Sequence, residues 1–412
     1  MLRRCAVICC KCSLRLLVGL VAVLACIRLH FLATRRFLKY HLDRVPELPE
    51  YRAFVDHFPL VFIHCIDWEP LFAPNRRLLP GGLIKRFDWY VLPPDARFPG
   101  HRRGRDPATV FAAPGALDDL LAAAARDMDP RHSNRVVVFG GEEEALSSAF
   151  GREALQRRAK VRLLRRWFGT IFYYVKDVDA DGVKTMPHGL VHMYLSHKRH
   201  TAEASRVISA ARTDAVAKPK VALAAWKMPL SLQFDRARNF TKRYGPDEQD
   251  EAERKWPEFF KLVGLMVPDR TMCKLGLDDR TEAHEWVQTD FAKDMGVELR
   301  GAIAPLHYLE TLSLYRFVLS PWGSGIQSAR MFEALLVFTV PIVRRIGQIS
   351  VYDDLISYGF PILVVNAWSN LTAQRLSEYW DAVAPNLPRI RQRCLTADGF
   401  WRIFTGANHS CL

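Results

Sequence analysis

The stretch Arg316-Phe-Val-Leu-Ser-Pro-Trp-Gly-Ser-Gly-Ile-Gln-Ser-Ala-Arg-Met-Phe-Glu-Ala-Leu-Leu336 constrains this chain more than any other. It reads as a short buried strand, a glycine-rich turn and a helix running from Ile326 to Phe338. That helix is apolar nearly all round. Its exceptions, Gln327, Arg330 and Glu333, recur every three residues and form one stripe. Charge on an otherwise buried helix needs a partner, because isolated charge in a core is costly. A strand, a tight glycine turn and a helix N-terminus together favour an anion through free backbone N–H groups and the helix dipole. Arg330 is then placed to hold a diphosphate, with Gly323, Ser324 and Gly325 offering backbone N–H groups and Glu333 accepting from a ribose or base. The plainer reading is an Arg330–Glu333 salt bridge beside ordinary turn glycines.

Two further segments extend the pattern: Val340-Pro-Ile-Val-Arg344, then Phe360-Pro-Ile-Leu-Val-Val-Asn-Ala-Trp-Ser-Asn-Leu-Thr372. In order and spacing, roughly Leu306 to Trp380 resembles the sugar-nucleotide domain of the exostosin-type glycosyltransferases. The resemblance implies that Arg330 binds the donor diphosphate and Glu333 the donor ribose or base. It also implies transfer with inversion, no tightly bound metal, and a nucleotide sugar as co-substrate. Gln327 and Ala329 depart from the Asp and His that many relatives carry there. That departure motivates the alternative of a non-catalytic glycan-binding or scaffold protein on the same fold.

The 412 residues carry 58 Lys and Arg against 44 Asp and Glu, a net charge of +14. Residues 1–44 hold nine basic residues against Asp43, so that only +6 is left for the rest of the chain. This mild excess suits an acidic ligand, and also an ordinary solvated surface. No basic stripe interleaved with aromatics stands out, so nucleic-acid binding is not expected.

Leu16 to Ile27 is free of charge and flanked by basic residues. With Lys11, Arg15 and Arg28 snorkelling, Ala6–Ala33 is long enough for a spanning helix. No clear small-x-small site precedes the next basic cluster, which favours an uncleaved anchor over a cleaved leader. Val23-Leu-Ala-Cys26 resembles a lipoprotein cleavage box only loosely. Five of the nine cysteines lie in residues 1–26; Cys65, Cys273, Cys394 and Cys411 lie beyond. Those four are either disulfide-bonded, with Cys394 and Cys411 the nearest pair in sequence, or buried thiols. Asn239, Asn370 and Asn408 head glycosylation tripeptides.

Continuous Val/Ile-rich runs, among them Val136–Phe139, Thr170–Val175 and Val340–Val343, alternate with helical stretches, which argues for parallel sheets. The expected organisation is a cytosolic tail over 1–15, a transmembrane signal-anchor over 16–33 and a stem over 34–58. An N-terminal acceptor-side α/β domain over 59–215 and a nucleotide-sugar-binding α/β domain over 216–388 follow, then a C-terminal tail or helix over 389–412. The fold class is α/β: two Rossmann-like parallel-sheet domains facing a cleft, the arrangement that the resemblance names GT-B. Ligands of such sheets sit outside the carboxyl ends of the strands, where the turn after Leu319 falls.

Weaker candidates surround this cleft. Asp177-Val-Asp-Ala-Asp181 has the spacing of a diphosphate-metal pair but equally that of an Asp-rich turn. His188, in Met186-Pro-His-Gly-Leu190, offers acceptor contact or proton transfer. Asp67, Glu69 and Glu142–Glu144 are alternative bases, and Arg344 and Arg345 alternative sources of positive charge. The expectation is a single-pass type II glycosyltransferase of the Golgi membrane with its catalytic part lumenal. Its partners would be a nucleotide sugar, a glycan or glycoprotein acceptor, and the membrane through the N-terminal anchor.

Overall fold

The computed structural model describes residues 83, 86–91, 101–102, 104–140, 144–189, 198–226, 270–301, 303–322, 326–345 and 347–406. The segment read as an anchor, the stem, Asp67, Glu69, Glu142, Glu143, Gly323, Ser324, Gly325, Asn239 and Asn408 lie outside them. Among the described residues no helix is long and apolar enough to cross a membrane.

The first lobe runs β1 (Trp89–Val91), β2 (His101–Arg102), β3 (Thr109–Ala112), α1 (Leu117–Asp127), β4 (Arg135–Phe139), α2 (Leu146–Phe150), α3 (Ala154–Leu164), β5 (Phe168–Tyr173) and β6 (Val183–Thr185). Its sheet has the order β2-β1-β3-β4-β5-β6, parallel throughout except for the short antiparallel β2 at one edge. β4 is buried at every position, as a strand covered on both faces must be, so it shows no in–out alternation. Phe139, Phe150 and Tyr173 pack against one another beneath helix α2 with centroids 5.4–5.7 Å apart.

The second lobe follows: α4 (Lys198–Ala210), β7 (Lys220–Ala225), α5 (Arg270–Val287), α6 (Asp290–Asp294), β8 (Val297–Arg300), α7 (Pro305–Ser313), β9 (Tyr315–Leu319), α8 (Ala329–Leu336), β10 (Val340–Arg344), α9 (Val351–Ser357) and β11 (Leu363–Val365). Helices α10 (Ala373–Val383), α11 (Leu387–Cys394) and α12 (Ala397–Thr405) close the chain. The order β11-β10-β9-β7-β8 is wholly parallel. Pro341 is tolerated inside β10 for a local reason. Ile342 turns its carbonyl to β9, where it accepts from Ser320 N at 2.8 Å, so Pro341 faces the other side. There the pairing with β11 begins only at Ile342, and the missing N–H breaks no ladder bond.

The last helix returns to the first lobe. Phe404 packs on Phe87 and Phe172, Trp401 on Phe87, and Arg86 pairs with Asp398 at 2.6 Å. The stretch expected as one C-terminal helix is therefore two, and the second helps to cover the first sheet. One buried apolar cluster runs through both lobes.

Lys218, just ahead of β7, is fully buried; its Nζ donates to Ser313 O, Tyr315 O and Thr339 Oγ1 at 2.9–3.0 Å. Burial pushes its pKa from 10.5 down to about 7. Between those values the unfolded chain holds a proton that the folded chain has given up, so stability rises with pH across this window. The penalty is fully present below pH 7. The slope is about 1.4 kcal/mol per pH unit where Lys218 alone titrates. Urea midpoints taken between pH 7 and 9.5 should climb for the wild type and stay flatter for Lys218→Met; parallel curves would exclude Lys218 as the cause.

Candidate donor site at the strand ends of the second lobe

Helix α8 is shorter at both ends than its sequence suggests. Ser328 is the N-cap, its hydroxyl accepting from Arg330 N at 3.3 Å, so Ile326 and Gln327 lie before the helix. At the other end Thr339 N donates to Ala334 O at 2.8 Å and Phe338 N to Leu335 O at 3.1 Å. This pair of bonds is a Schellman closure. Its left-handed position is held by Phe338, with φ of 60°, where glycine is usual. Left-handed backbone costs a bulky residue roughly 1–2 kcal/mol. The Arg391 guanidinium, 4.0 Å above the Phe338 ring and bonded to Leu336 O, offsets that cost.

Within α8, Met331 to Leu336 are buried and hold the helix against the sheet. Arg330 is half-buried and reaches over the carboxyl end of β7, donating through Nη1 to Ala225 O at 2.8 Å. It meets a backbone carbonyl there, and no carboxylate among the described residues is paired with it. Glu333 is only 4% exposed and is itself partnered. The Tyr308 hydroxyl on α7 is buried without a hydrogen-bond partner. Burial pushes its pKa well up; the charge of Arg330 opposes that shift and Glu333 adds to it, so all three groups share one region. Ser320 Oγ, at the end of β9, is a second buried hydroxyl without a partner. A guanidinium and two hydroxyls at the carboxyl ends of parallel strands suit a polar, anionic ligand.

A buried carboxylate that the sequence reading missed organises this mouth. Asp279 on α5 is fully buried. It accepts from Trp322 N at 2.8 Å, Trp368 Nε1 at 3.0 Å and Arg344 Nε at 2.7 Å. These donors belong to the segment after β9, the segment after β11 and the end of β10. One side chain thus ties together the exits of three adjacent strands. Burial raises its pKa against the opposing pull of the Trp322 N–H, Arg344 and Trp368. Nothing in Leu-Asp-Asp-Arg280 marks Asp279 apart from Asp278, and only the tertiary fold does so.

Several candidates fall elsewhere. Arg344 is spent on Asp279 and on Glu282 at 2.5 Å, and Arg345 makes a two-pronged pair with Asp353 at 2.5 Å. Neither lends free charge to an anion. The Asp177–Asp181 run is wired into structure. Asp177 accepts from Ser147 N at 2.9 Å and from the Ser147 hydroxyl, and Asp179 from Ser350 N and Oγ at 3.2 and 2.7 Å. Among the described residues no group of three or more His, Cys, Asp or Glu is placed to hold a metal ion. Glu144 accepts from Ser148 Oγ at 3.3 Å. His188 is 4% exposed and packs edge-on against Tyr174 with centroids 5.0 Å apart, which denies it the open position that proton exchange with an acceptor requires.

Gln327 bridges the lobes instead of continuing the helix stripe. Its Nε2 donates to Met186 O at 2.9 Å and Tyr174 O at 3.2 Å, and its Oε1 accepts from His188 N at 3.0 Å. A second bridge lies nearby. Asp354 Oδ2 accepts from Lys176 Nζ at 2.9 Å and from Thr185 N and Oγ1 at 2.9 and 2.6 Å. Tyr358 OH donates to Thr185 O at 3.0 Å. Cys394 is disulfide-bonded, and Asn370 is exposed, its Oδ1 accepting from Ala367 N at 3.0 Å.

No protein-family model matches this chain, and no curated protein matches it. Among solved structures, an alpha-glucosyltransferase in complex with UDP-glucose and DNA containing an abasic site is similar over 74% of this chain and 77% of its own. The identity is 12% and the TM-score 0.25. A likeness at that score carries no inference about fold or function.

Proposed function

We propose that this chain is a glycosyltransferase that moves a sugar from a nucleotide-sugar donor to a glycan or glycoprotein hydroxyl. The observation that carries the reading is Arg330: a guanidinium with no carboxylate partner among the described residues, in the first turn of α8 and over the carboxyl end of a parallel sheet. The order of motifs from Leu306 to Trp380, which resembles the exostosin-type enzymes, supports the same assignment. In this reading Arg330 stabilises the departing diphosphate as the glycosidic bond breaks, and the 323–325 turn supplies backbone N–H groups. Glu333 orients the ribose or base. Transfer inverts the anomeric carbon without a tightly bound metal. A type II anchor in the Golgi membrane, with the two lobes lumenal, agrees with the disulfide at Cys394 and the exposed Asn370 tripeptide.

The burial of His188 and the structural use of Gln327 favour one second reading, a non-catalytic protein of the same fold that binds glycans. Transfer or hydrolysis of nucleotide sugars by the purified protein separates the two. For the proposed donor site, Glu333→Gln is expected to weaken uridine or guanosine diphosphate binding about ten- to a hundredfold, the worth of a charged hydrogen bond of about 1.5–3 kcal/mol. Calorimetry reads this directly, and an unchanged constant would remove Glu333 from the site.

A further inference from the structure

Residues 152–166 hold seven basic residues against Glu153, a net +6. The segment thus carries as much net charge as the whole of residues 45–412. α3 is the crossover between β4 and β5, and only its Val161 and Leu164 are buried. Two of its cations are consumed locally: Arg157 donates to Gly151 O and Arg152 O, and Lys160 to Ala149 O. The outward side is different. Leu155, Arg158, Arg162 and Leu163 follow one another at steps of three, four and one on a single face of α3, and Arg166 lies in the turn just past its end. All five are exposed, Leu155 by 76% and Leu163 by 42%. Among the described residues the three arginines have no carboxylate partner, and the face carries no acid.

We propose that this face of α3 docks on an anionic lipid surface. Arginines alone would serve any polyanion. The two leucines decide between partners. Large apolar side chains left in water beside unpaired guanidinium groups suit the headgroup boundary, where leucine methyls enter the acyl edge while arginine stems snorkel to lipid phosphates. A soluble polyanion would take the arginines and leave both leucines wet. The contact is separate from the hydrophobic N-terminal segment and does not depend on the donor site.

The test is co-sedimentation of the full-length protein with vesicles of phosphatidylcholine, with and without phosphatidylglycerol. Residues 1–44 contribute equally to every variant, so the gain on adding phosphatidylglycerol is the quantity compared. Each basic residue near a charged bilayer adds about 1 kcal/mol, so reversing three should cut that gain more than about tenfold. This is the result expected for Arg158→Glu/Arg162→Glu/Arg166→Glu, and Arg→Gln at the same positions should lose a smaller part. Leu155→Ser/Leu163→Ser should lower vesicle partitioning several-fold and leave binding to soluble dextran sulfate unchanged. All these side chains are exposed, so thermal midpoints should hold and certify folding. Wild-type partitioning by the arginine variants would overturn the proposal. Loss of dextran sulfate binding with no effect of the leucines on vesicles would also overturn it, in favour of a soluble polyanion.

Discussion

Arg330→Ala is expected to abolish measurable binding of uridine and guanosine diphosphates while the protein stays folded. A guanidinium that meets a diphosphate through paired N–H groups contributes on the order of 2–5 kcal/mol once it is desolvated, a loss of some thirtyfold to several thousandfold in affinity. The structural cost is far smaller. Among the described residues the Arg330 side chain makes one hydrogen bond, to Ala225 O, worth about 1 kcal/mol, and its stem is half-buried rather than central to the core. Arg330→Lys should not rescue, because a point charge cannot reproduce the planar fork. Calorimetry on variants whose thermal midpoints match the wild type is the measurement. Full nucleotide affinity in Arg330→Ala would remove the foundation of the donor-site assignment.

Asp279→Ala should be the most destabilising single change near that site. It strands three donors at once: the Trp322 backbone N–H, the Trp368 indole and the Arg344 guanidinium, the last only 16% exposed. Breaking a buried ion pair from one side costs about 3–5 kcal/mol because a charge is left uncompensated. Asp279→Asn keeps the shape and one acceptor oxygen, so about 1.5–3 kcal/mol is expected from the lost charge-assisted bonds. Denaturant midpoints rank the two. Trp322 immediately precedes Gly323-Ser-Gly325 in sequence, so the folded Asn variant should also bind nucleotide more weakly. Normal stability in Asp279→Ala would show that the three strand exits hold their places without it.

Several strands buried on both faces were legible in the sequence, whereas β1 and β3, buried at every position but only three and four residues long, were not. Val136–Phe139, Thr170–Val175 and Val340–Val343 each coincide with an observed parallel strand to within two residues, since a two-sided strand advertises itself as an unbroken apolar run. Helix ends were less legible. The closure at Phe338 uses a bulky residue in a left-handed conformation, supported by Arg391 from another helix, and no local signal announces that. The site divides in the same way. Arg330 was found because a turn, a helix start and a lone cation are adjacent in sequence. Asp279, Tyr308 and Ser320 act through contacts that the chain makes only after it has folded. Gln327 was misread as part of a stripe because helical periodicity was carried two residues upstream of the cap at Ser328.

The Gln327 bridge bears on how substrates would enter. The same residue that clasps three backbone groups of the first lobe immediately precedes in sequence the cap of the helix bearing Arg330. Any rocking of one lobe against the other must either break that clasp or drag the donor platform along. Occupancy of one half of the crevice would thereby be felt in the other through a side-chain amide, with no moving loop required.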